Sequence, residues 1–106
     1  MYCETTIDPT TGVLALHGEL GIYTVPTLRH QLLERLAAAD SLEVDLTGVS
    51  DIDTAGLQLM LLAKRLPGKT VRFSHHSPPV LRLIALANVA QVLGDPLPDM
   101  AGLEEE

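Results

Sequence analysis

Apolar residues recur at Val25, Leu28, Leu32 and Leu36, with Arg29, Glu34 and Arg35 between them. Steps of three and four predict an amphipathic helix to about Ala39. Thr24 stands where an N-cap belongs, and Pro26 falls in the first turn, where its missing N–H does no harm. Leu42, Val44 and Leu46 then alternate with Glu43 and Asp45, the pattern of a strand with one buried face. A second helix is expected from near Thr54 to about Leu66, where Pro67-Gly68 stops it. Thr70 to Phe73 reads as a further strand. Ser77-Pro78 opens a third helix carrying Val80, Leu83, Ile84 and Ala87 on one face, and Ala90 to Leu93 forms a last short apolar element. At the other end, Tyr2 to Ile7 alternates weakly and runs into the turn-forming cluster Asp8-Pro9-Thr10-Thr11-Gly12. Val13 to His17 follows as the return strand of a hairpin, and Gly18-Glu19-Leu20-Gly21 breaks the pattern.

Strands that alternate with helices imply right-handed crossovers and a parallel sheet. The expected architecture is α/β: a mixed, mostly parallel sheet of four to five strands, opened by an antiparallel hairpin, with three to four helices. The chain has 106 residues, the size of one domain. At 46% hydrophobic and 20% charged it has the material for a buried core. Seven basic and fourteen acidic residues give −7, but five of the acids follow Gly94. Residues 1–94 hold seven basic and nine acidic residues, or −2. The expected division is a domain over 1–94 and an acidic, loosely ordered tail over 95–106.

Composition removes several functions. No basic run exists, and Tyr2, Tyr23 and Phe73 are the only aromatics, so the chain lacks both the charge and the stacking platforms that nucleic acid requires. Cys3 is the single cysteine and makes no intrachain disulfide. No apolar run exceeds five residues (Leu59–Ala63 is one), too short for a membrane span, and no signal peptide is visible. A soluble, cytoplasmic domain is expected.

The informative stretch is Asp45-Leu46-Thr47-Gly48-Val49-Ser50-Asp51-Ile52-Asp53-Thr54-Ala55-Gly56-Leu57. A strand leads into a loop, and the loop ends in an acid and a hydroxyl at a helix start. With Gly18-Glu19-Leu20 after the second strand, this resembles the STAS domain family, whose pattern is roughly Asp-Leu-Ser-x-Val-x-x-Ile-Asp-Ser/Thr-x-Gly-Leu. The family includes bacterial anti-anti-sigma factors and the accessory subunit of a lipid-transport ABC system. In its signalling members a partner kinase phosphorylates the hydroxyl that follows the aspartate, here Thr54. The resemblance therefore implies a regulator of transcription that binds an anti-sigma-type serine/threonine kinase when unphosphorylated and releases it when Thr54 carries phosphate, with a phosphatase to reset it. It also leaves open an ABC-transporter subunit, or a scaffold component of another bacterial signalling complex.

The residues can be read beside the resemblance. At about 100° per residue, Thr54, Gln58, Leu61 and Arg65 share one helical stripe. That stripe is expected to face outward, leaving Leu61 and Leu57 partly exposed, while Ala55, Leu59, Leu62 and Leu66 form the core face. Gly56 is expected to leave open space beside Thr54 for a partner to approach. The expected contact surface comprises Asp53, Thr54, Ala55, Gly56, Gln58, Leu61 and Arg65, together with Glu19 and Tyr23. A phosphate adds about −1.5 to −2 charges. Free N–H groups at the helix start would tolerate it within the domain. At a docked interface, beside Asp51 and Asp53, it would lower affinity by ~2–4 kcal/mol.

Other chemistry is weakly supported. Asp51 and Asp53 have no third acid or histidine beside them in sequence to complete a cation site. Adjacent His75 and His76 point apart on a loop and read as a surface pair, and His17 as a strand-end residue. Cys3 lacks a cationic neighbour in sequence. Ser77 reads as a helix cap, and no nucleophile-elbow or phosphate-loop motif occurs. No enzymatic activity, metal or cofactor is expected.

Overall fold

The computed structural model describes residues 2–95. The order of elements is β1 (Cys3–Ile7), β2 (Leu14–Leu20), α1 (Val25–Ala38), β3 (Ser41–Ile52), α2 (Thr54–Lys64), β4 (Thr70–Ser74), α3 (Pro78–Ala87) and α4 (Ala90–Leu93). The four strands form one sheet in the order β1-β2-β3-β4. β1 runs antiparallel to β2, while β2–β3 and β3–β4 are parallel. The predicted mixed sheet, its opening hairpin and its helices are thus all present.

Period-two alternation decides which face of the sheet is covered. Leu14, Leu16, Leu42, Val44, Leu46, Val71 and Phe73 are buried, whereas Glu4, Thr6, His17 and Arg72, which point the other way, are exposed. The buried face joins one core cluster with Leu28, Leu32 and Leu36 of α1, Leu59, Met60 and Ala63 of α2, Val80 and Ile84 of α3, and Leu93 of α4.

Two expectations about the strands are corrected. The segment from Thr47 to Ile52 is no loop: β3 continues to Ile52. Gly18-Glu19-Leu20 is no break: β2 continues to Leu20. The two extensions pair with each other, Gly18 with Val49 and Leu20 with Ile52, across register shifts between Ala15 and His17 and between Gly18 and Glu19. The shifts interrupt simple alternation, so Leu46 and Val49 are both buried although three residues apart. Gly48 sits at the first shift. A Cβ there would collide with the His17 ring and lie 2.8 Å from the Leu16 carbonyl oxygen. Only a residue without a side chain lets the strands close at that point.

The domain boundary also moves. Asp95, assigned by composition to the tail, is buried, with its side chain 3% exposed. Its Oδ1 accepts Lys64 Nζ at 2.8 Å and the Phe73 N–H at 3.3 Å, and Lys64 Nζ also donates to the Val71 carbonyl at 2.6 Å. The ion pair thereby fixes the end of α4 against α2 and β4. The remainder of the expected tail lies outside the described residues.

Candidate functional site

The extension of β3 ends at Ile52, and the chain turns directly into α2. Asp53 is the N-cap: its backbone is extended, and its Oδ1 accepts the N–H groups of Ala55 at 2.8 Å and Gly56 at 3.2 Å. These are two of the orphan donors of a helix start. Its second oxygen, Oδ2, accepts the N–H of Ile22 at 3.0 Å, and its own N–H donates to the Leu20 carbonyl. One carboxylate therefore holds together the start of α2 and the turn between β2 and α1. Partial burial alone would raise its pKa, but the three N–H groups, from Ile22, Gly56 and Ala55, outweigh that and hold the carboxyl below its ordinary value. The donors expected to be free for a phosphate are thus already occupied at Ala55 and Gly56.

The β2–α1 turn is braced from its other side. Thr24 occupies the N-cap position of α1 but makes no capping bond. Its buried hydroxyl donates to the Glu19 carbonyl at 2.6 Å and accepts the N–H of Gly21 at 3.0 Å. The intervening residues are pushed outward, so that Ile22 is 63% and Tyr23 74% exposed. Glu19, Ile22, Tyr23, Asp51, Ile52 and Asp53 line a shallow cleft of about 190 Å³.

Thr54 is the first residue of α2 and is exposed, as are Gln58 and Arg65. Leu61 is half-buried against the core, and Ala55 and Glu19 are half-buried as well. The outward stripe expected from the spacing is therefore present. The expected core face is rotated. The buried residues of α2 are Gly56, Leu57, Leu59, Met60 and Ala63, and Leu62 is exposed. The geometry explains this, since the buried side is centred near Met60 and Ala63, and Leu62 lies ~160° and ~100° around the helix from them. Leu57 is buried rather than partly exposed.

Gly56 does not leave open space. It is buried, and a Cβ on it would collide with the Leu20 carbonyl oxygen and lie 2.9 Å from Ile52 Cγ1. This glycine lets the first turn of α2 lie against the end of β2, an internal contact that removes it from the surface offered to a partner. Spacing alone did not single out Ile22 or Leu62. The signal for Ile22 was a bulky apolar residue between Gly21 and a helix start, outside the period of the helix that follows.

Among the described residues, no group of three or more His, Cys, Asp or Glu could hold a metal ion. No helix among them is long and apolar enough to cross a membrane.

A four-stranded mixed sheet covered by helices on one face, with an Asp-Thr pair at the start of α2, defines an α/β domain of a recognisable kind. Residues 3–97 match the family described as Mlab, STAS domain. The chain belongs to the STAS domain family, which includes anti-sigma factor antagonists and transporter STAS domains. No curated protein matches the chain.

Proposed function

We propose that this STAS domain is a non-enzymatic, protein-binding regulator that works in the cytoplasm in the manner of an anti-sigma factor antagonist. Its partner is a serine/threonine kinase of the anti-sigma type, bound when Thr54 is unmodified and released when Thr54 is phosphorylated. The observation that carries this reading is the exposure of Thr54 on the first turn of α2, one residue from a carboxylate that organises the neighbouring turn. Tyr23, Ile22 and the outer stripe of α2 (Gln58, Leu61, Leu62 and Arg65) supply an apolar and polar surface around it. Exposed apolar side chains rimmed by polar ones suit a modest protein contact.

The chemistry of the switch follows from the occupied donors. A phosphate on Thr54 enters beside Asp53, whose oxygens already accept three N–H groups, and near the exposed Asp51. Like charges repel, and the dianion competes with Asp53 for the N–H groups of the helix start. Weakening the bond from Ile22 to Asp53 also loosens the turn that presents Ile22 and Tyr23. The kinase brings the ATP and the phosphoryl-transfer machinery, and a phosphatase restores the hydroxyl.

A second reading is favoured by the Mlab description of the matching family: an accessory STAS subunit of an ABC transporter, with Thr54 as a contact residue and no phosphate cycle. Intact-mass analysis of the chain recovered from its own cells separates the two. The first reading expects a fraction heavier by one phosphate that disappears in Thr54→Ala, and a kinase among the captured proteins. Capture of transporter subunits by a chain that never carries phosphate overturns it.

A further inference from the structure

The two edges of the sheet are finished differently. On β4 two outward-facing edge groups are closed within the chain: the Val71 carbonyl accepts Lys64 Nζ, and the Phe73 N–H donates to Asp95. The buried Lys64–Asp95 pair stands where another strand would otherwise bond. β1, at the other edge, pairs only with β2 among the described residues. The bonds from Glu19 N to Tyr2 O and from Asp8 N to Val13 O set the phase of that ladder, in which even-numbered residues of β1 face β2. The N–H and C=O groups of Cys3, Thr5 and Ile7 therefore point away from the sheet, with no backbone partner among the described residues. β1 is short and carries one charge, Glu4, but no lysine, proline or bulge to blunt its edge further.

We infer that the β1 edge is an interface with a second copy of this chain, the two β1 strands pairing antiparallel about a two-fold axis at Thr5. Overlap and charge together select the register, since centring on Cys3 or Ile7 pairs only one end of the strand. Centring the pair on Glu4 sets Glu4 against Glu4 of the other copy, and centring it on Thr6 sets Glu4 against Asp8. Like charges directly opposite each other destabilise a strand pair. Centring on Thr5 sets Cys3 against Ile7 and Glu4 against Thr6, with no like-charge pair. It also makes Cys3, Thr5 and Ile7 the hydrogen-bonded positions, which are the residues whose backbone groups face outward.

The flank of the edge fits the same occupant. A groove of about 420 Å³ runs between β1 and α1, lined by Thr5, Ile7, Gln31, Glu34 and Arg35 among others. Gln31 holds a buried side-chain oxygen with no hydrogen-bond partner among the described residues. The groove carries one acid, Glu34 (3.0 Å from His30 of the same helix), and one base, Arg35, so its lining sets no net charge against that of a two-fold copy. Such an isologous contact is closed and yields a dimer rather than a fibre. A five-residue strand pair is small beside stable interfaces of ~1,600 Å², so the dimer forms at high concentration.

The test is sedimentation of the full chain at about 0.5 mM, a concentration suited to a small interface. Wild type is expected near twice 11.4 kDa. Thr5→Pro, which deletes an outward N–H that β2 does not use, is expected to return the mass to 11.4 kDa with unchanged circular dichroism. In a second variant, Cys3→Ser with Thr5→Cys, mild oxidation is expected to link two chains. The Cα atoms of a hydrogen-bonded pair lie ~5.5 Å apart, within disulfide range. Wild-type Cys3, placed opposite Ile7, is expected not to link. If Thr5→Pro fails to fold, the cysteine pair decides. A monomeric wild type, a dimer that survives Thr5→Pro in a folded chain, or cross-linking through Cys3 in place of position 5 overturns the inference.

Discussion

Oδ2 of Asp53 accepts the backbone N–H of Ile22 at 3.0 Å, across 31 positions of sequence. Through that bond the turn after β2 and the first turn of α2 become one surface, and Thr54 stands exposed at its rim. The family motif places an acid before the hydroxyl, and this chain uses the acid to cap the helix and anchor the adjacent turn.

Removing the carboxylate should therefore act on stability before it acts on binding. Asp53→Ala is expected to lower the unfolding free energy by about 1 kcal/mol, the usual worth of an N-cap, as read from the urea midpoint. The sign with pH follows from the depressed folded pKa. The charge-dependent part of the contribution is complete above the unfolded value of ~3.9 and is lost as pH falls through the lower folded value. The gap between wild type and Asp53→Asn should stay constant from pH 7 to 5 and close in acid below ~4.

Gly56→Ala should destabilise, against the ordinary preference of helices for alanine over glycine by ~1 kcal/mol. The new methyl group would collide with the backbone oxygen of Leu20, which is fixed in the β2–β3 ladder. A loss of ~1–3 kcal/mol is expected, the range for overpacking. A more stable variant in denaturant titration would contradict the packing described for this turn.

His76 carries the second pH dependence. Burial is the main cause that holds its imidazole below 6.5. His75 and Lys64 push the same way, and Asp95 opposes them. Its Nε2 is buried without a hydrogen-bond partner among the described residues. A depressed folded pKa means that the unfolded chain binds the extra proton, so this contribution is complete above ~6.5 and is lost as pH falls through the folded value. The urea midpoint should fall between pH 7.5 and 5, and His76→Gln should flatten that slope.

Most of the fold was legible because most of its signals are local. Leu28, Leu32 and Leu36 repeat at helical spacing and are all buried. Leu42, Val44 and Leu46 alternate and line the covered face of β3. What escaped depends on contacts across long stretches of chain. Gly48 interrupts the alternation of β3, and only its pairing with the end of β2 keeps the strand going to Ile52. Asp95 resembles its acidic neighbours in composition, and its burial depends on Lys64 and the Phe73 N–H, both far away in sequence. At the site, the hydroxyl and its outward stripe could be read from helical spacing. The burial of Gly56 has no local signal, because its neighbour Leu20 belongs to β2, far away in sequence. Ile22 was missed because an exposed apolar residue in a turn has no periodic signature.

The most direct test of the switch compares wild type, Thr54→Ala and Thr54→Glu for binding to the kinase captured with the chain. Wild type and Thr54→Ala are expected to bind, and Thr54→Glu to bind at least tenfold more weakly, a difference of ~1.4 kcal/mol or more. Equal affinity for wild type and Thr54→Glu would contradict a switch built on the charge carried at this helix start.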